Sequence, residues 1–188
     1  KIWTSADGST LPYRLHLPKR TEPGRTYPLV LHLHGAGSRG TDNRNQLNVG
    51  GSAFLSWMTR RGEECVFVAP QCPKGERWVD VDWKTESHRM HEQPTAHLRQ
   101  TMEIVEDAMK RHPVDRSRVY VMGVSMGGYA TWELLQRHPE WFAAALPCGR
   151  RLAGIIGVLL FLRLAPLRCL MLSLAHLFSF FNTILYFS

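Results

Sequence analysis

The sequence predicts an α/β fold in which a mostly parallel sheet carries helices on both faces. Short apolar runs typical of buried strands occur at residues 29–33, 65–69 and 119–124. They are separated by segments with the apolar spacing of helices, and this alternation favours parallel pairing of the strands. Residues 11–17 alternate apolar and polar side chains instead, which predicts a half-exposed strand.

Three helices are predicted between these strands. The first covers residues 54–61. The second begins near Pro94, because proline suits the first helical position, and ends at His112. The apolar stripe of this second helix comprises Leu98, Met102, Val105 and Met109. The third helix follows Ser125, and residues 142–146 then predict a further short strand.

The most informative motif is the pentapeptide GVSMG at residues 123–127, which links the strand at 119–124 directly to a helical pattern. Glycines two places before and two places after the serine allow a sharp strand-to-helix turn without Cβ clashes. Ser125 is therefore predicted to stand above the sheet as a nucleophile. The helix behind it directs free backbone N–H groups, including that of Met126, towards the place where an oxyanion would form.

Length and charge indicate one ordinary globular domain. The chain has 188 residues, 44% of them hydrophobic, and a formal net charge of +7. Four arginines lie after Cys148, in a segment without acidic residues. Residues 1–148 therefore carry 19 basic and 16 acidic residues. This small excess, without a recognisable RNA- or DNA-binding motif, argues against nucleic acid as a partner.

The four cysteines and nine histidines show no spacing typical of a metal site, so neither a metal nor another cofactor is predicted. The cysteines are interpreted as buried free thiols, and a disulfide between Cys65 and Cys72 stays open. The chain begins at Lys1 without an apolar signal segment, which indicates a fragment or a processed form. The choice between bacterial cytoplasm and secretion, and the oligomeric state, therefore stay open.

Three blocks of sequence carry a family resemblance: YPLVLHLHGAGSRGTDN, VFVAPQCPKGERW and DRSRVYVMGVSMGGYATWELLQRHPEWFAAALPCG. Over residues 11–149 the chain resembles the α/β-hydrolase superfamily, specifically the bacterial carboxylesterase, feruloyl-esterase-like and predicted-peptidase group related to polyhydroxybutyrate depolymerases. The resemblance implies an α/β-hydrolase fold with Ser125 as the nucleophile. It also implies an oxyanion hole formed by the backbone N–H groups of Ala36 and Met126. The implied substrate is a small or polymer-linked carboxylic ester.

The same resemblance implies substrate contacts at two further places. One is Gly37, and the other is the loop that carries Arg77 and Trp78. Packing of Trp78 against the sheet or its loops is an alternative to contact with a ligand. For His34, the resemblance implies hydrogen bonds to the backbone, and therefore a structural role instead of that of a general base.

The acid and the base of a catalytic triad are missing from the expected positions. In this fold the serine is followed by an acidic residue and then by a histidine, both on loops after later strands. No aspartate follows Ser125, and Glu133 and Glu140 belong to the helix behind it and its end. His138 closes that helix, while His176 lies in an apolar stretch. The triad, and with it the hydrolase domain at residues 1–149, is therefore predicted to be incomplete.

Residues 150–188 form a second region, which is apolar, basic and unlike the family. A reading-frame slip or truncation is favoured, because GGC glycine codons read one base out of frame give CGG, an arginine codon, and this would turn two glycines into Arg150 and Arg151. Reading the encoding DNA in the neighbouring frames tests this, and the hypothesis fails if no hydrolase-like aspartate and histidine appear.

Two other interpretations of this region stay open. Residues 169–187 are 19 residues without a formal charge, long enough for a membrane anchor. Alternatively, the region is a helix that covers a sheet edge. An inactive hydrolase remnant or pseudoenzyme is accordingly the alternative function.

Overall fold

The computed structural model describes residues 1–83 and 89–148. The strands within this part of the chain are β1 (Ile2–Thr4), β2 (Thr10–His16), β3 (Tyr27–Leu33), β4 (Val66–Pro70), β5 (Val114–Val124) and β6 (Ala144–Cys148). The α-helices are α1 (Gly51–Arg60), α2 (Ala96–Arg111) and α3 (Met126–Arg137).

The strands form one sheet in the order β1-β2-β4-β3-β5-β6. The four strands from β4 to β6 pair in parallel, while β1 and β2 are added antiparallel at one edge. The mostly parallel sheet expected from the sequence is thus confirmed. Strand β1 was not predicted, because three residues are too few to show a pattern.

Helices cover both faces of the sheet, as the sequence predicts. Leu29 and Leu31 of β3 lie in one apolar cluster with residues of α2 and α3. Val30, between them, belongs to a second cluster with Phe54 and Met58 of α1. Successive side chains of a strand point to opposite faces, so the nearly unbroken apolar run of β3 serves two cores at once.

Helix α2 differs from the prediction at its start and in its buried stripe. It begins at Ala96 instead of Pro94, because the Thr95 hydroxyl caps it by accepting a hydrogen bond from the Leu98 N–H at 3.2 Å. Leu98 and Val105 of the predicted stripe are buried, and Ile104 and Ala108 are buried with them. Met102 and Met109 are only partly buried at the margin of the core.

Several predictions concern residues that the structure does not describe. The boundary at residue 149 and the suggested membrane segment 169–187 both lie outside the described residues. Within residues 1–83 and 89–148, no helix has the length and apolar character needed to cross a membrane. Cys65 and Cys72 are separate free thiols, so the disulfide between them is not formed.

Candidate active site

Ser125 occupies the turn between β5 and α3, at the edge where the parallel strands end. Its φ of 54° and ψ of −111° are rare for a residue with a side chain, and the residue is exposed. Its backbone N–H donates to the Cys148 carbonyl at 2.6 Å, and its own carbonyl accepts from the Gly128 N–H at 2.8 Å. The strained turn is therefore held by hydrogen bonds on both of its backbone polar groups.

Two glycines around Ser125 allow close approach of the backbone. A Cβ at Gly123 would overlap the carbonyl oxygen of Gly127. A Cβ at Gly127 would overlap the carbonyl oxygen of Leu33 and lie 3.0 Å from that of His34. The first turn of α3 thus packs directly on the end of β3, which brings the residues after β3 close to Ser125.

The loop after β3 lies beside Ser125. A Cβ added at Gly35 would be 3.5 Å from the Ser125 Cβ. Ala36 begins a short 3₁₀ helix (Ala36–Ser38), and Met126 begins α3. Neither N–H has an acceptor within its own helix, because the first N–H groups of any helix are unpaired. Both amides predicted for the oxyanion hole therefore occupy helix starts at the same end of the sheet.

His34 is fully buried directly below this loop, and both of its ring nitrogens are hydrogen-bonded. Nε2 accepts from the Cys72 N–H at 3.0 Å, so the ring proton resides on Nδ1, which donates to the Gly35 carbonyl at 2.7 Å. Burial lowers the pKa of His34 and favours the neutral ring. These contacts support the structural role expected for His34 and leave it no nitrogen with which to accept a proton from Ser125.

Trp78 is fully buried and does not reach the exposed surface around Ser125. Its indole N–H donates to the His34 carbonyl at 3.1 Å, and its ring meets the imidazole edge to face at 5.1 Å between centroids. Direct contact of Trp78 with a substrate does not fit this placement, and the packing alternative does. Gly37 is exposed with open space around it, which suits a surface that faces a substrate.

Gln71 was missed by the sequence reasoning, although it lies in one of the three family-like blocks. Its buried side chain follows β4 and reaches the segment after the 3₁₀ helix. Oε1 accepts from the Asn43 N–H at 2.6 Å, while Nε2 donates to the Ser38 carbonyl at 3.2 Å and the Asp42 carboxylate at 2.8 Å. One amide side chain therefore fixes the loop that continues from Ala36.

Arg39 is a second residue that the sequence reasoning missed. Its Nε donates to the Ala36 carbonyl at 2.9 Å, and its Nη1 donates to the Glu76 carbonyl at 3.1 Å. The guanidinium thus ties the end of the 3₁₀ helix to the loop after β4. Strands β3 and β4 are parallel neighbours, so the loops that follow them lie at the same edge of the sheet. This adjacency is the feature that could have suggested the contact.

The histidine and carboxylates that follow Ser125 in the described part of the chain belong to α3 or to the turn after it. His138 follows the last turn of α3, roughly 20 Å along the helix from Ser125. It stacks on Trp141 with ring centroids 3.9 Å apart and lies 3.3 Å from the Glu140 carboxylate. Glu133 forms a partly buried ion pair with Arg137 at 2.8 Å. Within residues 1–83 and 89–148, no group of side chains is arranged to hold a metal ion.

Comparison with known proteins identifies the family. Residues 52–148 match the prolyl oligopeptidase family. No curated protein matches the chain. Among solved structures, a thermostable esterase is 37% identical with a TM-score of 0.69, over 78% of this chain and 39% of the esterase.

Two more distant structures share the fold. A ferulic acid esterase is 22% identical with a TM-score of 0.55, over 77% of this chain and 56% of its own. FphF, a fluorophosphonate-binding serine hydrolase of Staphylococcus aureus, is 15% identical with a TM-score of 0.56, over 78% of this chain and 54% of its own. The chain therefore spans between about two fifths and just over half of the length of these proteins.

The family match covers just over half of the chain, including β4, α2, β5, Ser125 and α3. The fold and the family resemblance expected from the three sequence blocks are both confirmed. The chain belongs to the prolyl oligopeptidase family, within the esterase-like part of the α/β-hydrolase superfamily.

Proposed function

We propose that residues 1–149 are the N-terminal part of a serine hydrolase that cleaves carboxylic esters through an acyl-enzyme on Ser125. The observation that carries the proposal is the exposed, strained turn at Ser125, with the Gly35-Ala36 loop packed against it. A nucleophile needs this exposure, and the adjacent helix starts provide hydrogen-bond donors for a developing negative charge. The 37% identity to a thermostable esterase supports an ester as the substrate.

The proposed reaction has two steps. The Ser125 Oγ attacks the ester carbonyl carbon and gives its proton to a base, while the carbonyl oxygen becomes an oxyanion that accepts from the Ala36 and Met126 N–H groups. The bond to the alkoxy oxygen then breaks, and the alcohol leaves with the proton from the base. Water attacks the acyl group in the second step, which releases the carboxylic acid and restores Ser125.

Neither His34 nor His138 is placed to take this proton. His34 has both ring nitrogens engaged with the backbone, and His138 lies at the far end of α3. The substrate is proposed to be a small or polymer-linked ester that lies over Gly37, whose exposed position leaves room beside the oxyanion donors.

Hydrolysis of p-nitrophenyl acetate by the purified full chain tests this proposal. We expect turnover and covalent labelling by a fluorophosphonate probe, and we expect Ser125→Ala to abolish both. Ser56→Ala, which removes an exposed hydroxyl from α1, serves as the matched control and should retain both. Labelling that persists in Ser125→Ala, or a folded wild-type chain that shows neither turnover nor labelling, would contradict the proposal.

The alternative is an inactive hydrolase remnant or pseudoenzyme, which residues 169–187 would anchor if they enter a membrane. It is favoured by the absence of any aspartate after Ser125 in the sequence. A hydrolase without its triad base can keep roughly a thousandfold acceleration over water. Slow turnover that persists in Ser125→Ala would therefore indicate a preserved oxyanion hole without an intact triad, while no turnover at all would support the remnant.

A further inference from the structure

We propose that Trp78 is a positioning residue, which sets the orientation of the Ala36 N–H through His34. The inference rests on the proposed function, because that function makes Ala36 an oxyanion donor. Trp78 itself is buried and would touch neither the substrate nor the reacting atoms. Its contribution would come from two contacts with His34, one to the backbone and one to the ring.

The first step of the argument is the geometry of one peptide group. The Ala36 N–H and the Gly35 carbonyl belong to the same planar unit, so the direction of one fixes the direction of the other. The Gly35 carbonyl accepts from His34 Nδ1 at 2.7 Å and from the Ser38 N–H at 3.1 Å. These bonds hold the peptide in place and also polarise it, which strengthens the Ala36 N–H as a donor.

The second step is the protonation of His34. Nδ1 can donate to the Gly35 carbonyl only while it carries the ring proton. The Cys72 N–H, at 3.0 Å from Nε2, selects this tautomer because it needs an unprotonated nitrogen as its acceptor. A chain of polarised groups thus runs from the Cys72 amide through the imidazole to the amide of Ala36.

The third step is the contact of Trp78 with this series of polarised groups. Its indole N–H fixes the His34 carbonyl at 3.1 Å, and its ring packs edge to face on the imidazole. Trp78 is held in turn, since the Thr95 hydroxyl donates to its carbonyl at 2.6 Å while it caps α2. The start of α2 is therefore linked through two side chains to the amide beside Ser125.

The test removes the indole N–H and keeps an aromatic ring, with Trp78→Phe in the full chain. Trp3→Phe is the matched control, because it removes an indole N–H that bonds Glu103 at 2.7 Å in a separate polar cluster. Nitrogen-15 shifts of the His34 ring and the amide proton shift of Ala36 are measured by NMR. A merely structural role of Trp78 would change stability without moving these signals.

We expect the wild type and Trp3→Phe to show one tautomer, with Nδ1 protonated. Trp78→Phe should keep this tautomer, which the Cys72 N–H selects, but should show a shifted His34 Nδ1 signal and an Ala36 amide proton shifted upfield, because the imidazole and the Gly35 carbonyl are no longer held in line. Unchanged His34 and Ala36 signals in folded Trp78→Phe would overturn the inference. If that variant does not fold, benzothienylalanine at position 78, which replaces the indole N–H by sulfur in the same shape, gives the same measurement.

The kinetics of ester hydrolysis provide an independent test of the role of Trp78. Trp78→Phe should lower kcat roughly tenfold with little change in KM, less than the hundred- to thousandfold expected for loss of an oxyanion donor itself. Unchanged kcat in an active chain would count against the inference. A wild type without any turnover would defeat the proposed function, while the NMR signals would still decide the role of Trp78.

Discussion

Two fully buried histidines at the end of β3 occupy contrasting environments. His34 has hydrogen bonds at both ring nitrogens and lies below the loop beside Ser125. His32 lies under the start of α1, with its ring 6.0 Å from that of Phe67, and neither of its nitrogens forms a hydrogen bond with a described residue. The carbonyls of Gln46 and Val49 are near enough to favour its protonated form but lack the geometry of a hydrogen bond.

The difference shows that residue type alone does not assign a role to a buried histidine. Satisfied nitrogens make the His34 ring a rigid link between the loops after β3 and β4. Unsatisfied nitrogens make the His32 ring a buried polar group that costs stability. Variants can therefore test whether the region around His34 positions the candidate catalytic turn, and whether the region around His32 contributes only packing.

The largest effect is expected from Gly127→Ala, which breaks the close approach of α3 to the His34 region. The new methyl group would overlap the Leu33 carbonyl, and overpacking of this kind costs about 3 kcal/mol. Urea denaturation measures the free energy of unfolding. Gly37→Ala is the control, since its methyl group would meet open space and should change stability by less than about 0.5 kcal/mol. Equal effects of the two substitutions would show that α3 and β3 are not in direct backbone contact.

An effect of similar size is expected from acid, through His32. Burial, with a lesser contribution from His34, lowers the pKa of His32 to about 4 from the usual value of 6.5. Between pH 6.5 and 4, His32 is protonated in the unfolded chain but stays neutral in the folded chain. Stability therefore falls by up to about 3 kcal/mol as the pH drops through this window, and His32 causes no further loss below it.

Unfolding of the wild type and of His32→Leu at a series of pH values checks this acid effect. The difference in free energy of unfolding between the two proteins should grow in favour of the variant from pH 7 to pH 4. Subtraction of the two curves removes the contributions of the other histidines and of the carboxylates. Parallel curves would mean that His32 titrates normally in the folded chain.

The smallest expected effects are the changes in unfolding free energy when each of the two histidines is replaced at pH 7. His34→Leu leaves the buried Cys72 N–H without its acceptor, which should cost about 2 kcal/mol. His32→Leu removes no hydrogen bond and should change stability by less than about 1 kcal/mol in either direction. A similar loss from both substitutions, measured by urea denaturation, would remove the contrast between the two regions.

Local sequence patterns predict most of the fold. The apolar runs predict the central strands, because strands that are buried on both faces consist almost entirely of apolar residues. Helix α2 begins at Ala96 because the Thr95 hydroxyl caps it, and this places Pro94 before the cap instead of at the first helical position. The strand expected at residues 142–146 covers Ala144–Cys148 instead.

The candidate site was predicted less completely, for a physical reason. Ser125 and the glycines around it follow from a pentapeptide, whose steric demands are local. The contacts of His34 with Cys72 and Trp78 join residues 38 and 44 positions apart in the chain. Local periodicity does not reveal such contacts, so the sequence leaves open both packing and substrate contact for Trp78, whose side chain the fold buries.

The most direct test of the central claim is the identification of the acylated residue. The full chain is mixed with p-nitrophenyl acetate, quenched with acid, digested and analysed by mass spectrometry. We expect an acetyl group on the peptide that carries Ser125, and we expect its loss in Ser125→Ala. Acetylation of lysine or histidine residues alone, with Ser125 unmodified at every quench time, would contradict the assignment of Ser125 as the nucleophile.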